Sequence, residues 1–250
     1  GSGDSSVFKV ILAQGIRISL QFAFVCILFT WFIAPYIMRY VADPAAYPQE
    51  MSFLKIRILG LPFLYLFQMG NAFFVSSLNS RLLMIGFIFE AGLNILLDYL
   101  LIFGHWGFPA MGFNGAAFAS VISEMVGMIV VLLVLIGSGL KQKYGLLKNL
   151  AYNPVISKEI FKVSIPLVLQ YLISVTTWLV FFLLIEARGV TAKAISNTMR
   201  NVFGLVGVFV WAFASTSNAM VSNLMGQKKE GKILEAITRI TFWSFGFCLL

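Results

Sequence analysis

Five polar side chains stand inside otherwise apolar sequence: Glu90, Asn94 and Asp98 in one run, Ser120 and Glu124 in the next. The first three recur at every fourth residue, so on a helix they share one face. Ser120 and Glu124 are also four apart. A carboxylate, an amide oxygen and a hydroxyl meeting across two helices make an oxygen-rich site suited to a hard cation. Kept from bulk water, the same carboxylate could carry a proton instead. The plainer role is structural, with Asp98 reaching back to an interface and Asn94 bonding a neighbouring helix. Spacing leaves both roles open.

The surrounding composition is what makes such residues costly. Of 250 residues only 11% are charged and 60% are apolar, where a soluble domain carries roughly 25% charged residues. The mean hydropathy is +0.91. A water-soluble fold could not cover itself with so few charges, which argues against a soluble enzyme or a nucleic-acid-binding domain. The chain reads as an all-α, polytopic membrane protein. No nucleophile–base set, phosphate loop or metal spacing appears, so no catalytic residues, enzyme activity or cofactor are expected. Cys26 and Cys248 lie in apolar runs and read as small hydrophobes.

A helix needs about 20 mostly apolar residues to cross the hydrocarbon. Seven segments qualify, near 8–37, 52–78, 83–103, 114–137, 159–186, 192–224 and 234–250. The breaks carry turn residues, among them Asp43-Pro44, Tyr47-Pro48, Asn79-Ser80-Arg81 and the Gly104 to Gly112 loop. Twelve of the Lys and Arg residues fall on the side that holds the 138–158 stretch. Six fall on the other: Arg39, Lys55, Arg57, Arg188, Lys193 and Arg200. Basic loops face the cytoplasm, so the 138–158 stretch is read as a cytoplasmic linker between four helices (1–137) and three (159–250). The start is polar and lacks Met, and the last span runs into the final residue. Both are expected of a chain cut from a longer protein.

The short link between the third and fourth spans makes them antiparallel neighbours. By the helical rise, Asp98 and Ser120 both lie on the order of 8–9 Å inside their helix ends, and Asn94 falls near the level of Glu124. The small residues Gly112, Gly115, Ala116, Ala117 and Ala119 let two backbones approach closely. His105 is read as an interfacial turn residue beside Trp106. In the fifth span Ser174, Thr177 and Trp178 follow Pro166 and Gln170. The sixth carries Asn197, Arg200 and Asn201, with Glu186 a candidate partner for Arg200.

The run from Asn94 through Asp98 to Gly104, then Gly107-Phe108-Pro109-Ala110-Met111-Gly112, then Gly115-Ala116-Ala117-Phe118-Ala119-Ser120, resembles the multidrug and toxic compound extrusion (MATE) transporters. So do Lys162-Val163-Ser164-Ile165-Pro166 and Asn223-Leu224-Met225-Gly226-Gln227. The resemblance implies a twelve-helix, two-bundle transporter of which this chain supplies helices three to eight and part of nine. It implies a sodium or proton site at Asn94, Asp98, the Ala116 carbonyl and Ser120, with Glu90 and Glu124 behind it. Ser174 stands where one branch of the family has a glutamate, which favours coupling through the first bundle. The implied function is antiport by alternating access in the plasma or inner membrane, by a monomer, exporting an amphipathic and cationic small molecule. Tyr65, Gln68, Asn71, Gln170, Trp178 and Arg200 are the candidate cavity residues. Two rivals are a lipid-linked saccharide flippase of related architecture and a seven-helix receptor; against the receptor, the 234–250 span has no lysine to carry a retinal. Membrane lipid is the only macroscopic partner expected, and no nucleic acid.

Overall fold

A computed structural model describes residues 5–77, 79–143 and 152–248. Residues 1–4, the 144–151 part of the expected linker and the side chains of Glu186 and Cys248 lie outside the described set. The described chain is helical throughout, with no strand among the described residues. Its contacts group into two compact units, one within Ser5–Ser157 and one within Lys158–Leu250.

Proline sets the breaks in the first unit. Helix α1 (Ser5–Leu28) loosens into a π turn at Phe29–Ile33 and resumes as α2 (Ala34–Val41). Pro35 has no N–H to bond back and its ring crowds the turn before it, so one wider turn precedes it. Asp43 Oδ1 then accepts the Ala45 N–H at 2.8 Å, and Pro48 opens α3 (Tyr47–Arg57) at a position that needs no N–H. A 3-10 turn at Ile58–Gly60 leads to Pro62 and α4 (Leu61–Ser76).

Helix α5 (Ser80–Phe103) ends at Gly104, whose φ of +74° is left-handed and suits a residue without a side chain. The loop folds back on it, with Met111 N–H donating to Leu101 O at 2.8 Å. Helix α6 (Phe113–Gly137) returns antiparallel to α5. Its buried residues Gly115, Ala119, Ser123, Gly127, Val131 and Leu135 recur every fourth position, a small-to-large stripe against α5. The core lies at the other end of that stripe, where Phe67, Phe73, Phe74, Val131, Leu135 and Leu140 pack together. A short α7 (Leu140–Lys143) follows.

The described α-helices of the second unit are α8 (Pro154–Glu186), whose first four residues fall within the first unit, α9 (Val190–Gly226) and α10 (Ile233–Cys248). Asn153 Oδ1 caps α8 by accepting the Val155 and Ile156 N–H groups at 3.1 and 3.2 Å. Phe247 joins α10 to α9, with ring centroids 5.6 Å from Phe209 and 5.9 Å from Phe213.

Among the described residues six helical stretches are long and apolar enough to cross a membrane: Lys9–Val41, Tyr47–Ser76, Ser80–Phe103, Phe113–Gly137, Pro154–Ile185 and Thr191–Gly226. The seventh, α10, has 16 described residues. The expected limits are missed most at the starts of the second and fifth spans, each five residues early; the fifth begins at Pro154, inside the expected 138–158 linker. The second span shows the cause. It begins at Tyr47 rather than near 52 because Pro48 starts the helix there.

Candidate cation site and its neighbouring clefts

The α5–α6 register follows from its glycines. A Cβ on Gly127 would lie 3.1 Å from Glu90 Cβ, one on Gly86 would lie 2.6 Å from Val131, and one on Gly115 would lie 2.5 Å from Leu101 O. Stepping one helical turn at a time from Glu90 and Gly127 brings Asn94 level with Ser123. A second step brings Asp98 level with Ala119, beside Ser120. Ala116 lies about one turn nearer the loop than that level.

Glu90, Asn94, Ser120 and Glu124 line one cleft of about 330 Å³, together with Arg57, Phe87, Ala91 and Ser123. Asp98 stands one turn beyond it. Its Oδ1 is buried and has no hydrogen-bond partner, and no hydrogen bond joins it to Asn94, Ala116 or Ser120 among the described residues. Also among the described residues, no three of His, Cys, Asp and Glu converge. An ion here would need amide, hydroxyl or carbonyl oxygens beside the carboxylate; Ser120 is nearest to the Asp98 level, with Asn94 and Ala116 about one turn to either side.

Sequence reasoning missed the residue that organises this cleft. Arg57 donates two hydrogen bonds to Glu124, at 2.9 Å to Oε2 and 2.6 Å to Oε1. The Glu124 side chain is almost fully buried and that of Arg57 two-thirds buried. Gly60 makes the approach possible, since a Cβ there would strike Glu124 Oε2 and sit 2.8 Å from an Arg57 guanidinium nitrogen. The signal that could have found the pair is the rule that an ionised group at membrane depth calls for a partner there. Glu90 shares the cleft and has no ion pair among the described residues.

The candidate cavity residues separate. In the first unit Tyr65 is half-buried and Gln68 exposed. Asn71 is 5% exposed, and neither its oxygen nor its nitrogen has a partner. In the second unit Trp178 and Arg200 share a cleft of about 790 Å³ between α8 and α9. Gln170 is two turns from Trp178 along α8 and outside that cleft, whereas Ser174 and Thr177 line a smaller one of about 400 Å³ with Trp178. Arg200 lies over the Phe182 ring at 5.1 Å; the Glu186 side chain is outside the described set. In the α5–α6 loop His105 stacks on Tyr99 at 4.1 Å, next to an exposed Trp106.

A family model described as MatE matches residues 1–100. A probable multidrug resistance protein NorM of Listeria innocua serovar 6a is 25% identical over 233 residues, covering 92% of this chain and 51% of that protein. The multidrug resistance protein NorM of Aliivibrio fischeri is 25% identical over 232 residues, covering 91% and 50%. A probable NorM of Thermotoga maritima is 30% identical over 159 residues, covering 60% and 34%. The chain thus spans about half the length of the relatives it matches along most of its own length. Among solved structures, a MATE protein in the straight conformation superposes with a TM-score of 0.77 at 17% identity, covering 96% of this chain and 53% of that one. A MOP superfamily transporter from Pyrococcus furiosus gives 0.75 at 18% identity, covering 97% and 52%. These two likenesses establish the fold.

Proposed function

We propose, from the premise that this chain belongs to the multidrug and toxic compound extrusion (MATE) family, that it is part of a secondary antiporter exporting amphipathic small molecules, cationic ones among them, in exchange for sodium ions or protons. The chain is a multi-pass membrane protein of the cell membrane. Its helices correspond in this reading to the third through ninth of a twelve-helix plan, with 1–137 in one bundle, 138–158 linking and 159–250 in the other. The names of the relatives, multidrug resistance proteins, favour export of small molecules.

One observation carries the coupling role: the buried, unpaired Oδ1 of Asp98, level with Ser120 across a helix contact tight enough to exclude side chains at Gly115. A carboxylate at membrane depth with no partner takes a proton or a small cation. Asn94, the Ala116 carbonyl and Ser120 supply the further oxygens, and Glu90 and Glu124 set the charge of the cleft one turn away. A bound cation drives transport only by favouring one of two conformations over the other, so the site must change shape or solvent access as the protein switches.

The test is ion-driven export by the full-length protein in proteoliposomes. Asp98→Asn keeps the shape and loses the charge, and is expected to abolish ion-driven uptake of a fluorescent cationic substrate while insertion into the vesicles is unchanged. Transport at the parent rate would take Asp98 out of the mechanism.

A further inference from the structure

The second unit presents a positive charge that its own described residues do not neutralise. Arg200 makes no ion pair or hydrogen bond among the described residues, and its neighbour is the face of Phe182, 5.1 Å away. It stands nine residues into the Thr191–Gly226 span, roughly 13 Å along the helix. A ring face offsets part of the cost of a guanidinium there but leaves its five donors unfilled.

Arg200 is placed at one end of the α8–α9 cleft, not on a closed surface. The cleft of about 790 Å³ runs from Ser196 and Arg200 to Trp211, with Trp178, Phe181 and Phe203 along its walls. Its polar groups are thus at the end nearer the Arg188-Gly189 turn, and Trp211 lies eleven residues, about 16 Å, deeper along α9. Gly204 and Gly207 line the floor, and a Cβ at either would meet nothing within 4 Å. Trp178 stacks on Phe182 at 5.9 Å and meets Phe181 edge-on at 5.7 Å, so this wall is a set of mutually braced rings.

From this arrangement we infer that the α8–α9 cleft binds an amphipathic aromatic anion, its acidic group on Arg200 and its ring system against Trp178 and Phe203. The volume falls in the range of sites for drug-sized molecules, and the walls are ring faces suited to a flat body rather than to two acyl chains. Arginine meets a carboxylate or sulfonate with two parallel N–H donors, which fixes the ligand's polar end. The inference goes beyond the export reading: it assigns an acidic group to a molecule bound by the second unit, and depends on that reading only for where the molecule goes next.

The test uses the full-length protein in phosphatidylcholine nanodiscs, with 2-naphthalenesulfonate and 2-naphthyltrimethylammonium as matched probes and quenching of tryptophan fluorescence as the signal. The sulfonate is expected to bind about tenfold more tightly than the ammonium. Arg200→Gln should erase that preference, Arg200→Lys should retain most of it, and Trp178→Phe should reduce the quenching. Equal binding of the two probes, or sulfonate affinity indifferent to Arg200→Gln, would overturn the inference. So would failure of both probes to bind, the result if another helix of the protein fills the cleft. Loss of sulfonate binding when phosphatidylglycerol is added assigns Arg200 to a lipid headgroup and equally overturns it. Asp98→Asn separates the two proposals, because it should leave sulfonate binding unchanged while abolishing ion-driven transport.

Discussion

Arg57 and Glu124, 67 residues apart in sequence, meet as a bidentate ion pair at 2.9 and 2.6 Å. They join α3 to α6 through the notch left by Gly60. The pair neutralises Glu124 within a cleft that also holds Glu90. Of the two carboxylates only Glu124 bonds the guanidinium; Glu90, on α5 with Asn94 and Asp98, has no ion pair among the described residues.

Breaking this pair from one side should cost more than removing it whole. Arg57→Met strands Glu124, whose side chain is 6% exposed, and such losses run about 3–5 kcal/mol. The low end, about 3 kcal/mol, is expected because the Arg57 side chain is itself 33% exposed. The double variant Arg57→Met with Glu124→Leu should recover most of it. Thermal unfolding in detergent, followed by circular dichroism, reads all three; a double variant no more stable than Arg57→Met would show that the pair does not work as a unit.

The hairpin register makes a second prediction through two glycines. A Cβ on Gly115 would sit 2.5 Å from Leu101 O and 2.9 Å from Ile102 N, backbone atoms that cannot turn aside. Gly115→Ala should therefore separate α5 from α6 and destabilise by about 1–3 kcal/mol, the usual cost of overpacking. Gly92→Ala, on α5 with nothing within 4 Å, serves as the matched control and should be neutral or stabilising by up to about 1 kcal/mol. Equal melting temperatures for the two variants would contradict the close approach at Gly115.

How much of this was legible in the sequence depends on whether a feature is local. The helices and their breaks follow from apolar length and from Asp43-Pro44, Asn79 and Gly104, all of which act on their immediate neighbours. The levelling of Asp98 with Ser120 needed only one short loop and a constant rise per residue. The Arg57–Glu124 pair was not legible, because its partners stand 67 residues apart and meet only where α3 packs on α6. Nor was the burial of Asn71. Helix α4 is apolar on every side, so its periodicity does not say which face turns inward, and the contacts of Phe67 and Phe74 decide it. The companions of Arg200 in the α8–α9 cleft likewise come from two helices that face one another along a path set by tertiary packing.

Asn71 carries the last prediction. Its side chain lies on α4 one turn from Phe67 and three residues from Phe74, both fully buried, and its oxygen and nitrogen are both without partners. An amide in that position gives up its hydration and gains no hydrogen bond, a loss of about 1–3 kcal/mol by comparison with an apolar side chain of similar size. If the amide has no further duty, Asn71→Leu should raise the unfolding temperature by several degrees. The same variant should leave ion-driven export intact if Asn71 only fills space. A more stable protein that no longer transports would instead place Asn71 on the substrate path, holding an unsatisfied polar group for a molecule that passes, as proteins do where binding has to be reversible. A less stable one would mean that the amide has a partner in the membrane-embedded state, and would remove it from the set of unpaired groups.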